Sequence, residues 1–184
     1  NMELMNFARI NRVPMVAINV NKSLINKVSA NGWDRVKKSD RSGISTPATA
    51  SNGYLEILED VFKQHEGEKE KNNLAKKELA FNRFVDVQLT WDRAFAQAID
   101  KTIKSNKAAA QTHGRNPVMV NTIGRGHIDY GFGVSHQLKS LGINNIISLT
   151  PWDNFLHCNQ LSNGGTPVAD VVFGTAAKIE HDNS

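Results

Sequence analysis

Residues 118–133 constrain the fold more than any other stretch. An apolar run, Val-Met-Val-Asn-Thr-Ile over 118–123, passes directly into Gly-Arg-Gly-His-Ile-Asp-Tyr-Gly-Phe-Gly over 124–133. Such a run reads as a buried strand, and the glycines after it as a sharp loop. Open α/β sheets place ligands where strands end in loops of this kind. His127, Asp129 and Tyr130 put a titratable base, a carboxylate and a phenol within four positions of one another.

The remainder of the chain repeats the strand and helix alternation. Residues 13–20 form a second short apolar run, of the length expected for a parallel strand buried on both faces. Residues 23–30 place Leu24, Ile25 and Val28 on one helical face, stopped by Asn31 and Gly32. Tyr54, Leu55, Ile57, Leu58, Val61 and Phe62 mark a short amphipathic helix, and a long one is expected over 78–104. A helix over 134–141 and strands over 145–149 and 169–173 close the chain, with a loop around Trp152 between the strands. The expectation is an α/β fold: a mostly parallel sheet flanked by helices in three layers, with a helical insertion. Residues 39–53 lack periodicity and 65–77 are charged with few apolar anchors, so both are expected at the surface and partly mobile.

Composition sets the outer bounds. The 184 residues are 40% hydrophobic and 22% charged, enough for one sizeable core, so residues 1–184 are read as a single domain. The net charge of +4 is dispersed, without an arginine-rich arm, which argues against nucleic acid as a partner. Cys158 stands alone, which excludes an internal disulfide or a cysteine-based zinc site. No run approaches the roughly 20 apolar residues that span a bilayer. Leu4, Met5, Phe7, Ala8 and Ile10 read as the tail of an amphipathic helix, so the chain is expected to start in mid-fold, with any export signal upstream.

The long helix holds a polar pair in an apolar stripe. Phe81, Phe84, Val85, Trp91, Phe95, Ile99 and Ile103 define the stripe, and at about 100° per residue Gln88 and Asp92 fall in its middle. Burying an amide and a carboxylate costs several kcal/mol unless each is bonded or ligated. Either the pair bonds loop backbone, the glycine loop included, or it lines a polar cleft. The loop itself keeps two readings. The spacing is not a dinucleotide fingerprint, since Asp129 occupies the third glycine position, and the lysine of a phosphate loop is missing. His127 is either a structural cap of the loop or a working base, and Tyr130 either an edge tyrosine in water or a ligand. His65, His113, His136, His157 and His181 show no ligand spacing and receive no role. Ser135 has no evident base partner, so serine nucleophile chemistry has no support.

Three segments together resemble the ChaN family of haem-binding lipoproteins in the TIKI superfamily. They are Pro14 to Asn19 leading to Lys27, Val28 and Gly32, the Gln88-x-x-x-Asp92 helix, and Gly124-x-Gly-His127-x-x-Tyr130-Gly-x-Gly133-Val134. The resemblance implies haem binding in bacterial iron acquisition, in the periplasm or at the outer membrane. It further implies a lipid anchor lying upstream and a haem shared across a homodimer. Tyr130 is the expected iron ligand and Tyr54 the reserve, with His127, Arg125 and Phe132 completing the cofactor site: a phenolate holds ferric iron, Phe132 offers apolar surface and Arg125 a cation for the propionates. A Gly-Glu-x-His-like motif of the family has no counterpart in these residues, and Ser135 stands where many relatives carry proline. The resemblance favours a binding protein over an enzyme. The competing reading is a hydrolase of the same superfamily, in which a divalent metal or a histidine base works through His127, Asp92 and Gln88.

Overall fold

The structure is a computed structural model that describes residues 2–65, 74–111, 118–152 and 158–175. Most of the expected charged stretch, the loop after Trp152, and His113, His157 and His181 lie outside the described residues. Five α-helices appear in order: α1 (Met2–Ile10), α2 (Lys22–Asn31), α3 (Asn52–His65), α4 (Leu74–Gln111) and α5 (Val134–Ser140). Four short strands follow: β1 (Leu149–Trp152), β2 (Ser162–Asn163), β3 (Thr166–Pro167) and β4 (Val171–Gly174).

Local chemistry explains the helices. The Asn21 side chain accepts from the Ser23 N–H at 2.8 Å to cap α2. Gly32, at φ 81°, ends it by donating its N–H to the Val28 carbonyl at 2.7 Å. Helix α4 runs 38 residues, longer than the apolar stripe, because Ala75, Lys76 and Lys77 before it and Lys107 to Gln111 beyond it are good helix formers.

Helix α4 is the spine on which the core is built. Val87 joins Leu24, Val28, Trp33 and Val36 of α2 and the turn after it. Val85 and Leu89 pack with Tyr54 and Leu58 of α3, and Phe81, Phe84 and Phe132 close over them. Ala96 and Ile99 pack with Val134 and Leu138 of α5. Three elements cover different sides of α4, which is why its buried positions extend beyond a single stripe.

The fold is mixed α/β with a small parallel sheet. Strands β1 and β4 pair in parallel, Leu149 opposite Val171 and Trp152 opposite Gly174, while β2 and β3 form a minimal antiparallel ladder. The two expected inner strands differ from expectation. Residues 13–20 and 118–123 join no ladder among the described residues, and Val13, Met15, Val16, Val118 and Val120 are exposed. An apolar run marks a segment suited to burial, but a strand exists only where a neighbour completes its hydrogen bonds. The two segments wall an apolar groove of about 530 Å³ with Leu4, Phe7 and Ile103.

Residues 39–53 are held in place rather than loose. Gln97 of α4 accepts from the Ser45 N–H at 2.6 Å and donates to the Gly43 carbonyl at 3.3 Å. Gln137 of α5 accepts from the Ala48 N–H at 2.8 Å and donates to its carbonyl at 2.9 Å. Arg93, 8% exposed, reaches the hydroxyls of Ser45 and Ser140, each at 2.8 Å. These bonds carry the strap across α4 and deliver α3 to the site.

Candidate functional site

The site forms where the glycine loop crosses α4. The loop folds as two consecutive 3-10 turns, Arg125–His127 and Asp129–Gly131, and then enters α5. Gly133 makes that crossing possible: a Cβ there would collide with the His127 carbonyl and stand 3.0 Å from Oδ1 of Asp92. Only glycine lets the loop backbone lie this close to the helix.

Asp92 is fully buried and takes its partners from two other elements. Its Oδ1 lies 2.7 Å from Nδ1 of His127, and its Oδ2 accepts from the Tyr54 hydroxyl of α3 at 2.8 Å. Burial pushes the Asp92 carboxyl above its ordinary acidity range, and the His127 and Tyr54 bonds oppose that rise. The Tyr54 phenol is pushed far upward, chiefly by burial and then by the Asp92 charge, so it is a committed donor. With Asp92 charged, Nδ1 of His127 is the donor in the bond between them. Edge-on contacts with Trp91 and Phe95, at 6.1 and 5.4 Å between ring centroids, fix the imidazole plane. Gln88 takes no part in this arrangement; it is half-buried and its side chain makes no hydrogen bond among the described residues.

Tyr130 faces a different environment. Its φ is 58° and ψ 6°, the left-handed region that non-glycine residues seldom occupy, and its N–H donates to the Val168 carbonyl at 2.7 Å. The hydroxyl donates to the Gln160 carbonyl at 2.8 Å. Desolvation foremost, then the neighbouring Asp129 charge, raises the phenol above its ordinary value, and Arg125 opposes this. Tyr130 lines a cleft of about 250 Å³ with Ser135, Lys139, Ser148, Thr166 and Asp170.

Arg125 and Phe132 are both occupied within the loop. Arg125 forms a two-pronged pair with Asp129, at 2.8 and 3.1 Å, and lies 5.0 Å above the Trp152 ring. Phe132 is half-buried between the rings of Tyr54 and Tyr130, at 6.5 and 5.8 Å, and packs down on Gly53. His136 places its Nε2 2.9 Å from the Thr49 carbonyl.

Comparison with known protein families matches residues 2–138 to the family described as haem-binding uptake, Tiki superfamily, ChaN. The chain belongs to this family. No curated protein and no solved structure matches it. The ChaN match covers both the buried Asp92 with its two partners and the strained Tyr130, and it stops within α5.

The donor set suits a ferric porphyrin at Tyr130: a half-buried phenol at a cleft, an aromatic ring beside it, and a lysine on the same cleft. At about 250 Å³ the cleft is smaller than the roughly 300–1,000 Å³ of ordinary ligand sites and too small to enclose a whole macrocycle. The larger apolar groove has neither imidazole, phenol nor cation among its lining residues. Among the described residues, no three His, Cys, Asp or Glu side chains converge on a common point, and no helix is long and apolar enough to cross a membrane.

Two parts of this site are not legible as local patterns. The Tyr54 bond to Asp92 spans 38 positions and the His127 bond 35. The one signal that points to them is the carboxylate stranded in an apolar stripe, which demands partners without naming them.

Proposed function

We propose that the protein binds haem in bacterial haem and iron acquisition, with Tyr130 supplying the iron ligand and His127 held close by in the same loop. The family supports haem; the carrying observation in this chain is the backbone of Tyr130. An aromatic residue in the left-handed region costs on the order of 1 kcal/mol, and such strain persists where a side chain must point in one direction. Tyr130 lines the cleft, and its phenol makes a single hydrogen bond, to the Gln160 carbonyl, which iron ligation would release. Haem, when bound, supplies a ferric centre that takes an anionic oxygen ligand and a flat apolar face. Phe132 packs beside the ligand ring, and Arg125 with Asp129 stiffens the preceding turn. Export to the periplasm or outer membrane through an upstream lipid anchor, and a homodimer sharing the haem, belong to the same proposal and rest on the family alone.

A haemin titration followed by absorbance tests this reading. Wild type is expected to saturate with the spectrum of a tyrosinate-bound ferric haem, and Tyr130→Phe to lose it. An unchanged spectrum in that variant removes Tyr130 as the ligand.

One observation favours a second reading, a hydrolase in which His127 is the base or holds a divalent metal. Its imidazole is oriented by a buried carboxylate, the arrangement that prepares a histidine for proton transfer or metal ligation. Ester hydrolysis or stoichiometric metal that disappears in His127→Ala would carry it; neither, with haem binding intact, leaves the first reading in place.

A further inference from the structure

We propose that the carboxylate groups of the porphyrin are received by Lys139 and Ser135, in the cleft beside Tyr130, and not by Arg125; the inference rests on the haem reading above.

The cation nearest to Tyr130 in sequence is already engaged. Both prongs of Arg125 go to Asp129, and its guanidinium plane is spent on Trp152. Drawing it to a second carboxylate would break a pair that also sets the turn. Lys139 is different: it is exposed, lines the same cleft as Tyr130, and has no ion pair among the described residues. Ser135 stands four positions earlier on α5, hence on the same helix face. The residue is 8% exposed and lines the cleft, and its hydroxyl makes no hydrogen bond among the described residues. A solvent-open hydroxyl beside an ammonium without an ion pair, both lining one cleft, offers two donors to an anion.

Asp170, which also lines the cleft, opposes an incoming carboxylate, but its Oδ2 already accepts from the Ser148 N–H and hydroxyl, each at 2.7 Å. Those bonds hold its carboxyl below the ordinary range, with a smaller contribution from Lys139. The floor of Ile146, Pro167 and Ala169 suits the apolar ring edge from which a propionate extends. The small size of the cleft fits this assignment, because it needs to take only the acid-bearing edge.

The test compares haemin with its dimethyl ester, in which the same macrocycle has no free carboxylates, in one detergent throughout. Lys139→Ala is expected to weaken haemin by about tenfold, the size of a charge-assisted contact, and to leave the ester unchanged. Lys139→Arg should restore most of the loss, Ser135→Ala should show a smaller loss with the same selectivity, and the exposed Lys101→Ala should show none. Equal haemin affinity in Lys139→Ala and wild type, or an equal loss for haemin and ester, overturns the inference while leaving haem binding standing. A wild-type chain that binds neither porphyrin removes the haem reading, and this inference with it.

Discussion

Tyr130 carries the sharpest consequence at the scale of a single residue. Its phenol sits above the ordinary tyrosine value because it is desolvated and faces Asp129, so at neutral pH it holds its proton. An iron centre that takes the phenolate must displace that proton, and each ligand bound releases one. Haemin affinity is therefore expected to rise with pH, approaching tenfold per unit between pH 6 and 8, and to be flat over the same range in Tyr130→Phe. A flat profile in wild type would contradict phenolate ligation. Gly133 gives a second prediction of the same scale. Gly133→Ala places a methyl against the His127 carbonyl of the same loop and close to Oδ1 of Asp92, so the loop must distort where it crosses α4. A loss of about 1–3 kcal/mol in thermal unfolding is expected, together with disturbance of His127 visible in its ring proton resonances. The sequence marks Asp92 as anomalous because a carboxylate among Phe84, Trp91 and Phe95 has no solvent to turn to. It does not name Tyr54 as the partner, since a bond across 38 positions leaves no local trace.

Elements follow the same division between what neighbours in sequence decide and what packing decides. Helices α2 and α5 lie close to their expected bounds because caps and periodicity are local: Asn21 and Gly32 for the first, Gly133 and Gly142 around the second. The segment over 39–53 was unreadable for the opposite reason. Its order comes from Arg93, Gln97 and Gln137, polar side chains on other helices that look like ordinary surface residues in sequence. The Gln137 amide is completely buried and completes both hydrogen bonds of Ala48, acting as a one-residue strand partner. Gln137→Ala should leave the Ala48 N–H and carbonyl unpaired, destabilise the fold by about 1–3 kcal/mol, and accelerate amide exchange at Ser45 and Ala48 before that of α4. If exchange in the strap and in α4 increases together, the strap is not held independently by these bonds.

Across the whole molecule, stability is distributed unevenly, and α4 explains why. Each of the three buried clusters uses α4 side chains, so this helix can open only when most of the core opens with it. Residues 13–20 and 118–123 stand at the other extreme: apolar, half to fully exposed at most positions, and without ladder partners among the described residues. Expectation and structure part company here because a sheet is a property of several segments at once, and composition shows only that each is suited to one. Hydrogen exchange at low protein concentration should therefore find the slowest amides in α4 over 85–99 and nearly unprotected amides over 13–20 and 118–122. The comparison is informative in both directions. Protection of 13–20 equal to that of α4 would mean that these backbones are paired in solution. Protection that grows with protein concentration would trace the pairing to a second copy of the chain, since intramolecular hydrogen bonds do not respond to mass action and intermolecular ones do.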